Sequence, residues 1–305
     1  MLRARSFGIA MTAVLLGGLA FLIATRGGAH AGATRVPSGP SGLTIGDGAI
    51  WVASSEDGSV SRVNPRSHRV TATVHVGGVP LRTAFGGGAA WVTNNSRDEV
   101  ARVAPAADRV SDKVVVGNAP GAIAADDVAV WVANGKGNSI SRIDPSSNSV
   151  VATIPVGRRP AGVAVGLGAV WVANAKDGTV SRIDPTSSSV VATIPVGRSP
   201  SAVTTTEDTV WVANGRSHSV VRIDPASDAV TATIRVGRRP LVLTAGDGAV
   251  WVANVEDNTV ARIDPATARV TRTVAVGSDP SALAVSDGTL WVASDGDNEL
   301  SRVAT

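Results

Sequence analysis

The chain has 305 residues, with 28 basic and 25 acidic side chains, no cysteine, no tyrosine, three phenylalanines, seven tryptophans and 33 glycines. Without cysteine, a disulfide scaffold, a thiolate metal site and a lipoprotein anchor are all excluded. The apolar content is mostly Val, Ala and Ile in short runs between Gly, Pro and Asp, which favours strands over helices and so an all-β fold.

The first segment differs in kind from the rest. Arg3 and Arg5 precede a 19-residue apolar run, FGIAMTAVLLGGLAFLIAT, and Ala29-His30-Ala31 is a small-x-small cleavage pattern. Residues 1–31 are therefore expected to be a secretory signal peptide, which makes the remainder extracytoplasmic, secreted or associated with the cell envelope. The run is also long enough to span a bilayer, so an uncleaved anchor is the alternative, and membrane contact is expected only in that case. The two arginines are not adjacent, which does not support twin-arginine export. Arg3, Arg5 and Arg26 all lie in this leader, leaving residues 32–305 with 25 basic and 25 acidic groups. A neutral domain has no bulk attraction for nucleic acid, so any charged partner must be sought in local charge placement.

From there on a period of 40 residues governs the sequence. Trp51, Trp91, Trp131, Trp171, Trp211, Trp251 and Trp291 keep it without an insertion or deletion, and so do the prolines from Pro40 to Pro280. In the unit at residues 161–200, GVAV reads as a first strand, Gly166-Leu167-Gly168 as a turn, AVWVAN as a second strand, TVSRID as a third and SVVATIPV as a fourth. Four antiparallel strands make a blade that cannot bury both faces alone, so residues 32–305 are expected to form a seven-bladed β-propeller. The final unit ends after three strands. Carrying the register backwards places Gly32 to Val36 at the end of a fourth strand, so the N-terminal segment should complete the last blade and remove an open sheet edge.

First strands should line the central channel. Their fourth residues, Thr44, Ala84, Ala124, Ala164, Thr204, Thr244 and Ala284, are all small. That pattern predicts a channel wall of methyls and hydroxyls, with no acid, base or metal ligand. The tryptophans read as one packing residue per blade, which leaves no aromatic platform for sugars or bases. Arg62, Arg102, Arg142, Arg182, Arg222, Arg262 and Arg302 recur in third strands, where they should satisfy loop carbonyls or an Asp within or between blades.

WVANGKGNSISRIDPSSNSVVATIPVG, residues 131–157, resembles the YVTN-type β-propeller repeat, with Trp in place of the leading tyrosine. More loosely, the units are similar to the streptogramin (virginiamycin B) lyase propellers. The first resemblance implies an exported, non-catalytic binding or scaffolding module. The second implies a magnesium-dependent lyase that opens a ring by elimination, using clustered histidines and a glutamate on one face. Against that requirement, His68 falls in a loop between third and fourth strands, His75 in a fourth strand, and only His218 in a loop between second and third strands. Gly86-Gly87-Gly88 is a strand turn with no helix after it, not a phosphate cradle. The oxygen-rich stretch from Ser294 to Glu299 lacks the full spacing of a calcium loop, so no metal site and no cofactor are expected.

Units differ most in the loops between second and third strands and in the linkers between blades, which share one face. Lys136, Arg158, Arg159, Lys176, Arg198, Arg216, Arg238 and Arg239 fall in one arc of that face against a single acid, Asp177. Glu256, Asp257, Asp279, Asp295, Asp297, Glu56 and Asp57 fall in the other arc, with no base among them. Arg82 stands where other units have Gly, Ala or Val. The eight basic residues are the candidate binding site for an anionic ligand, a peptide or an envelope component, with Arg158, Arg159, Arg198, Arg238 and Arg239 nearest the channel mouth. A monomer is expected, and a purely structural envelope role would instead predict self-association.

Overall fold

The computed structural model describes residues 32–305, and the segment read as a leader, residues 1–31, lies outside them. Seven separate four-stranded antiparallel sheets follow one another, and each first strand packs against those of its neighbours, including the first against the seventh. This is the seven-bladed β-propeller that the repeat predicts. Blade 4 has strands Pro160–Gly166, Ala169–Asn174, Thr179–Asp184 and Ser189–Pro195, close to the expected bounds. Proline opens each first strand, where its missing N–H breaks no ladder bond. Leu167 and Gly168 both take left-handed φ values, 56° and 71°, as a two-residue hairpin turn requires.

Packing follows the pattern of β-branched residues. Second strands are buried throughout, and fourth strands largely face solvent. Each tryptophan is at most 3 % exposed and meets the next blade, as Trp171 meets Val203, Val210, Val212 and Ile223 of blade 5. The indole N–H of Trp51, Trp91 and Trp171 donates to a strand-turn carbonyl at 3.0–3.2 Å. In six blades the third-strand arginine stacks over the tryptophan at 5.3–5.9 Å. Arg142 also donates to the carbonyl of Pro185 at 3.0 Å, and Arg182 to that of Pro225 at 2.9 Å, tying each blade to the next. These arginines are mortar between blades, not a polyanion site. The aspartates that follow them do something else: Asp144, Asp184, Asp224 and Asp264 accept backbone N–H groups of their own turns at 2.8–2.9 Å.

The ring closes through its ends. Thr34–Arg35 pairs with Glu299–Ala304, Thr34 opposite Leu300 and Arg35 opposite Glu299. Val36 is buried beside Trp291 and Leu43, and its N–H reaches the Asn298 carbonyl at 3.1 Å. The closing strand is shorter than Gly32 to Val36: Gly32 turns out of the extended region at φ 88°, and Pro37 has no N–H to continue the ladder. The seam is reinforced on both sides, by the Thr34 hydroxyl donating to the His68 carbonyl and the Gly39 N–H donating to Asn298 Oδ1, each at 2.9 Å.

Removing the closing strand forfeits the burial of Val36, about 1.5–3 kcal/mol, together with these bonds. A domain of this size loses about 2–4 °C per kcal/mol. A chain beginning at residue 37 should therefore melt at least about 5 °C below one beginning at residue 32, read by circular dichroism. Equal midpoints would show that blade 7 is held in some other way.

Candidate functional site

The face carrying the variable loops is laced together by two sets of hydrogen bonds. The last residue of each loop between second and third strands is left-handed, and in the five blades where it is not glycine its side chain accepts the N–H of the residue before the next proline. Asp98 does so for Ala119, Asn138 for Arg159, His218 for Arg239 and Asn258 for Asp279, at 2.7–3.0 Å. One residue earlier in the linker, the N–H of Arg158, Arg198, Arg238 or Ser278 goes forward to the loop of the following blade. There Asp177, Ser217, Asp257 or Asp297 accepts it at 2.6–3.2 Å. The linkers at 158–159, 238–239 and 278–279 carry both bonds and are pinned on both sides, and their side chains are displayed from a fixed rim.

Inside the rim is a cavity of ≈ 1280 Å³ on the basic side of the channel mouth, lined by residues of blades 2 to 6. Seven of the eight expected residues line it: Lys136, Arg158, Arg159, Lys176, Arg198, Arg216 and Arg239. The eighth, Arg238, is not part of the lining; it clamps Asp257, with Nε to Oδ1 at 2.6 Å and Nη2 donating to the Glu256 carbonyl at 3.1 Å. Arg158 pairs in the same way with Asp177, at 2.5 Å, and lines the cavity. The Arg158 backbone N–H, then its guanidinium, hold Asp177 below the ordinary carboxylate range. Burial pushes Asp257 up, and the Arg238 backbone N–H, guanidinium hydrogen bond and charge outweigh it, so its net direction is down.

Three more cavity residues, Arg82, Glu256 and His218, sharpen the picture. Arg82 adds an eighth cationic side chain, so a base does reach the channel wall, contrary to the expectation from first-strand residues. Of the positions that expectation used, Ala84 and Ala284 are buried between blades and the other five are half-buried, and the cavity itself is met by residues nearer the start of the first strands, Leu81 and Arg82 among them. Glu256 supplies the single carboxylate, and His218 lies in the same wall. His218 Nδ1 accepts the Arg239 N–H at 3.0 Å, which leaves Nε2 to carry the ring proton. His68 stands on the opposite face, where Nε2 meets the Arg302 guanidinium at 2.6 Å, and His75 is exposed on an outer strand. The sequence does signal the Arg238 clamp, because Arg158–Asp177 and Arg238–Asp257 share a spacing of 19 residues.

Across the mouth the charge reverses. Burial, and then the charges of Glu56 and Asp279, raise the pKa of Asp295. Among the described residues no group of three His, Cys, Asp or Glu side chains is placed to hold a metal ion. Magnesium favours several oxygen ligands. A cavity with one carboxylate among eight cations does not fit it.

The architecture and the site together define a seven-bladed propeller with one ligand-sized, cationic mouth. The chain belongs to the virginiamycin B lyase family, whose model matches residues 149–305. Among solved structures it is similar to Kuenenia stuttgartiensis hydrazine synthase, at 16 % identity and a TM-score of 0.78, covering 94 % of this chain and 99 % of that one. It is also similar to a streptogramin B lyase, at 16 % identity and a TM-score of 0.77, covering 88 % and 95 %. A third is a catalytically inactive histidine-to-alanine variant of virginiamycin B lyase from Staphylococcus aureus with quinupristin, at 17 % identity and a TM-score of 0.77, covering 90 % and 98 %. At such identities these likenesses establish the fold. Comparison with curated proteins finds no match.

Asp295 offers a test of the acidic arc. Its ionised form is disfavoured in the folded state, so it detracts from stability above its raised pKa, and the effect vanishes as pH falls below the ordinary value of 3.8. Asp295→Asn should raise the thermal midpoint at pH 7 and leave it unchanged at pH 3. A midpoint lowered at pH 7 would show that the carboxylate is a structural acceptor instead.

Proposed function

We propose that the protein is an exported, non-catalytic binding module that takes an anionic ligand, peptide or envelope component at the cationic mouth. The observation that carries this reading is the cavity wall, with eight cationic side chains against Glu256 alone. Like charges gathered at a concave surface raise the local concentration of an anion, and guanidinium groups recognise carboxylate and phosphate through paired hydrogen bonds. The pinned linkers support the same reading, since a site already in position loses little entropy on binding.

A lyase is the second reading, and family membership together with His218 and Glu256 in one cavity favours it. Two features weigh against it. The related lyase rendered inactive by a histidine substitution depends on that histidine. Here the one histidine of this cavity wall spends Nδ1 on the Arg239 backbone, and its surroundings repel a divalent cation.

Incubation with a streptogramin B and magnesium, followed by chromatography, should give no linearised product, and product formation would establish the lyase reading. A thermal-shift screen of phosphate-bearing and carboxylate-bearing compounds should find ligands that raise the midpoint. Arg159→Ser, Arg198→Ser and Arg239→Ser combined should weaken such a ligand at least tenfold. Unchanged binding would place the ligand elsewhere.

A further inference from the structure

Arg82 is out of pattern in a way that blade packing does not explain. The same position in the other six blades holds Gly42, Ala122, Gly162, Ala202, Val242 and Ala282. A second departure lies beside it: Thr93 replaces the alanine that stands at 53, 133, 173, 213, 253 and 293. Thr93 is fully buried, and its hydroxyl accepts the Arg82 N–H at 3.1 Å and donates to the Gly121 carbonyl at 2.8 Å. Blades 1, 4, 5, 6 and 7 pair the corresponding residues through the strand ladder, as Gly42 with Ala53, whereas blades 2 and 3 do not, and of these two only blade 2 has a hydroxyl at the facing position. The hydroxyl stands in for the ladder and fixes the backbone from which Arg82 projects.

The guanidinium is held but not neutralised. Nη1 donates to the Ser41 carbonyl of blade 1 and, at 3.5 Å, to the Leu81 carbonyl. Gly42 permits this approach, since a Cβ there would stand 2.7 Å from the Arg82 Cα. Among the described residues no carboxylate pairs with Arg82. Its surroundings are desolvating enough to lower its pKa, yet a guanidinium stays charged in proteins. Nε and Nη2 make no protein hydrogen bond among those described, and the side chain lines the cavity. A desolvated cation without a counter-ion is costly, and a bound oxyanion offsets that cost.

We propose that Arg82, braced by Thr93, is an oxyanion subsite in the shaft wall, and that the ligand reaches it with a terminal phosphate or carboxylate while Arg159 and Arg239 hold a second anionic group at the rim. This rests on the reading of the mouth as an anion site. It adds a ligand class: a molecule carrying at least two separated negative charges, one of them on an end narrow enough to enter the shaft.

The test is calorimetric titration with inorganic pyrophosphate at low ionic strength, with citrate in parallel to separate phosphate from carboxylate preference. Arg82→Ala and Arg82→Gln should each weaken binding at least tenfold. Their ligand-free thermal midpoints should equal or exceed that of the wild type, because alanine is what blades 3, 5 and 7 carry there and an uncompensated charge has been removed. Binding as tight as wild type, or a ligand-free midpoint lowered by more than about 5 °C, would overturn the subsite and mark Arg82 as structural. If the Arg159→Ser/Arg239→Ser pair abolishes binding and the Arg82 variants do not, the subsite falls and the mouth stands. If the wild type binds neither anion, both fall.

Discussion

Each blade carries a tryptophan that it cannot bury by itself. The indole lies between the arginine of its own third strand and the apolar second strand of the next blade, so burial is completed only by a neighbour, and the last neighbour is the first. From this follow the unbroken 40-residue period and the need for a closed ring with a closing strand. Circular stacking also forces the first strands together at the axis. A Cβ on Gly162 would stand 2.8 Å from the Ala202 Cα, so small residues are obligatory at some positions there.

A frame so tightly determined leaves chemistry to the loops and linkers of one face. Even these are not free, because side chains such as Asn138, His218 and Asp257 capture linker N–H groups and set the rim. The rim therefore behaves as a collar: the charges on it vary from blade to blade, and their positions do not. One side has become a cationic cavity, and on the other burial, and then the charges of Glu56 and Asp279, raise the pKa of Asp295. Local specialisation of this kind is what a repeat architecture permits, since substitutions in the exposed loops and linkers leave blade packing intact.

The sequence makes the blades, the strand order and the basic arc legible because each is a matter of period and count. Seven of the eight basic residues meet at the cavity for the same reason. What escaped depends on side-chain direction. Arg82 is visible as out of pattern, but its reach into the shaft is not, and Arg238 falls outside the cavity lining although it clamps its aspartate as Arg158 does. His218, conspicuous as a histidine, does in its loop what Asn138 and Asn258 do in theirs. The closing strand is short because Gly32 and Pro37 bound it, a local effect that a register carried over from intact blades does not see.

The central claim is that the mouth is built to hold oxyanions. Crystals grown with selenate, whose selenium scatters anomalously, test it most directly. The account predicts an anomalous peak inside the cavity, within about 4 Å of the Arg82 guanidinium or between Arg159 and Arg239, a distance set by ordinary hydrogen bonds to the oxygens. Selenate bound at outer-surface arginines while the cavity remains without a peak would contradict it.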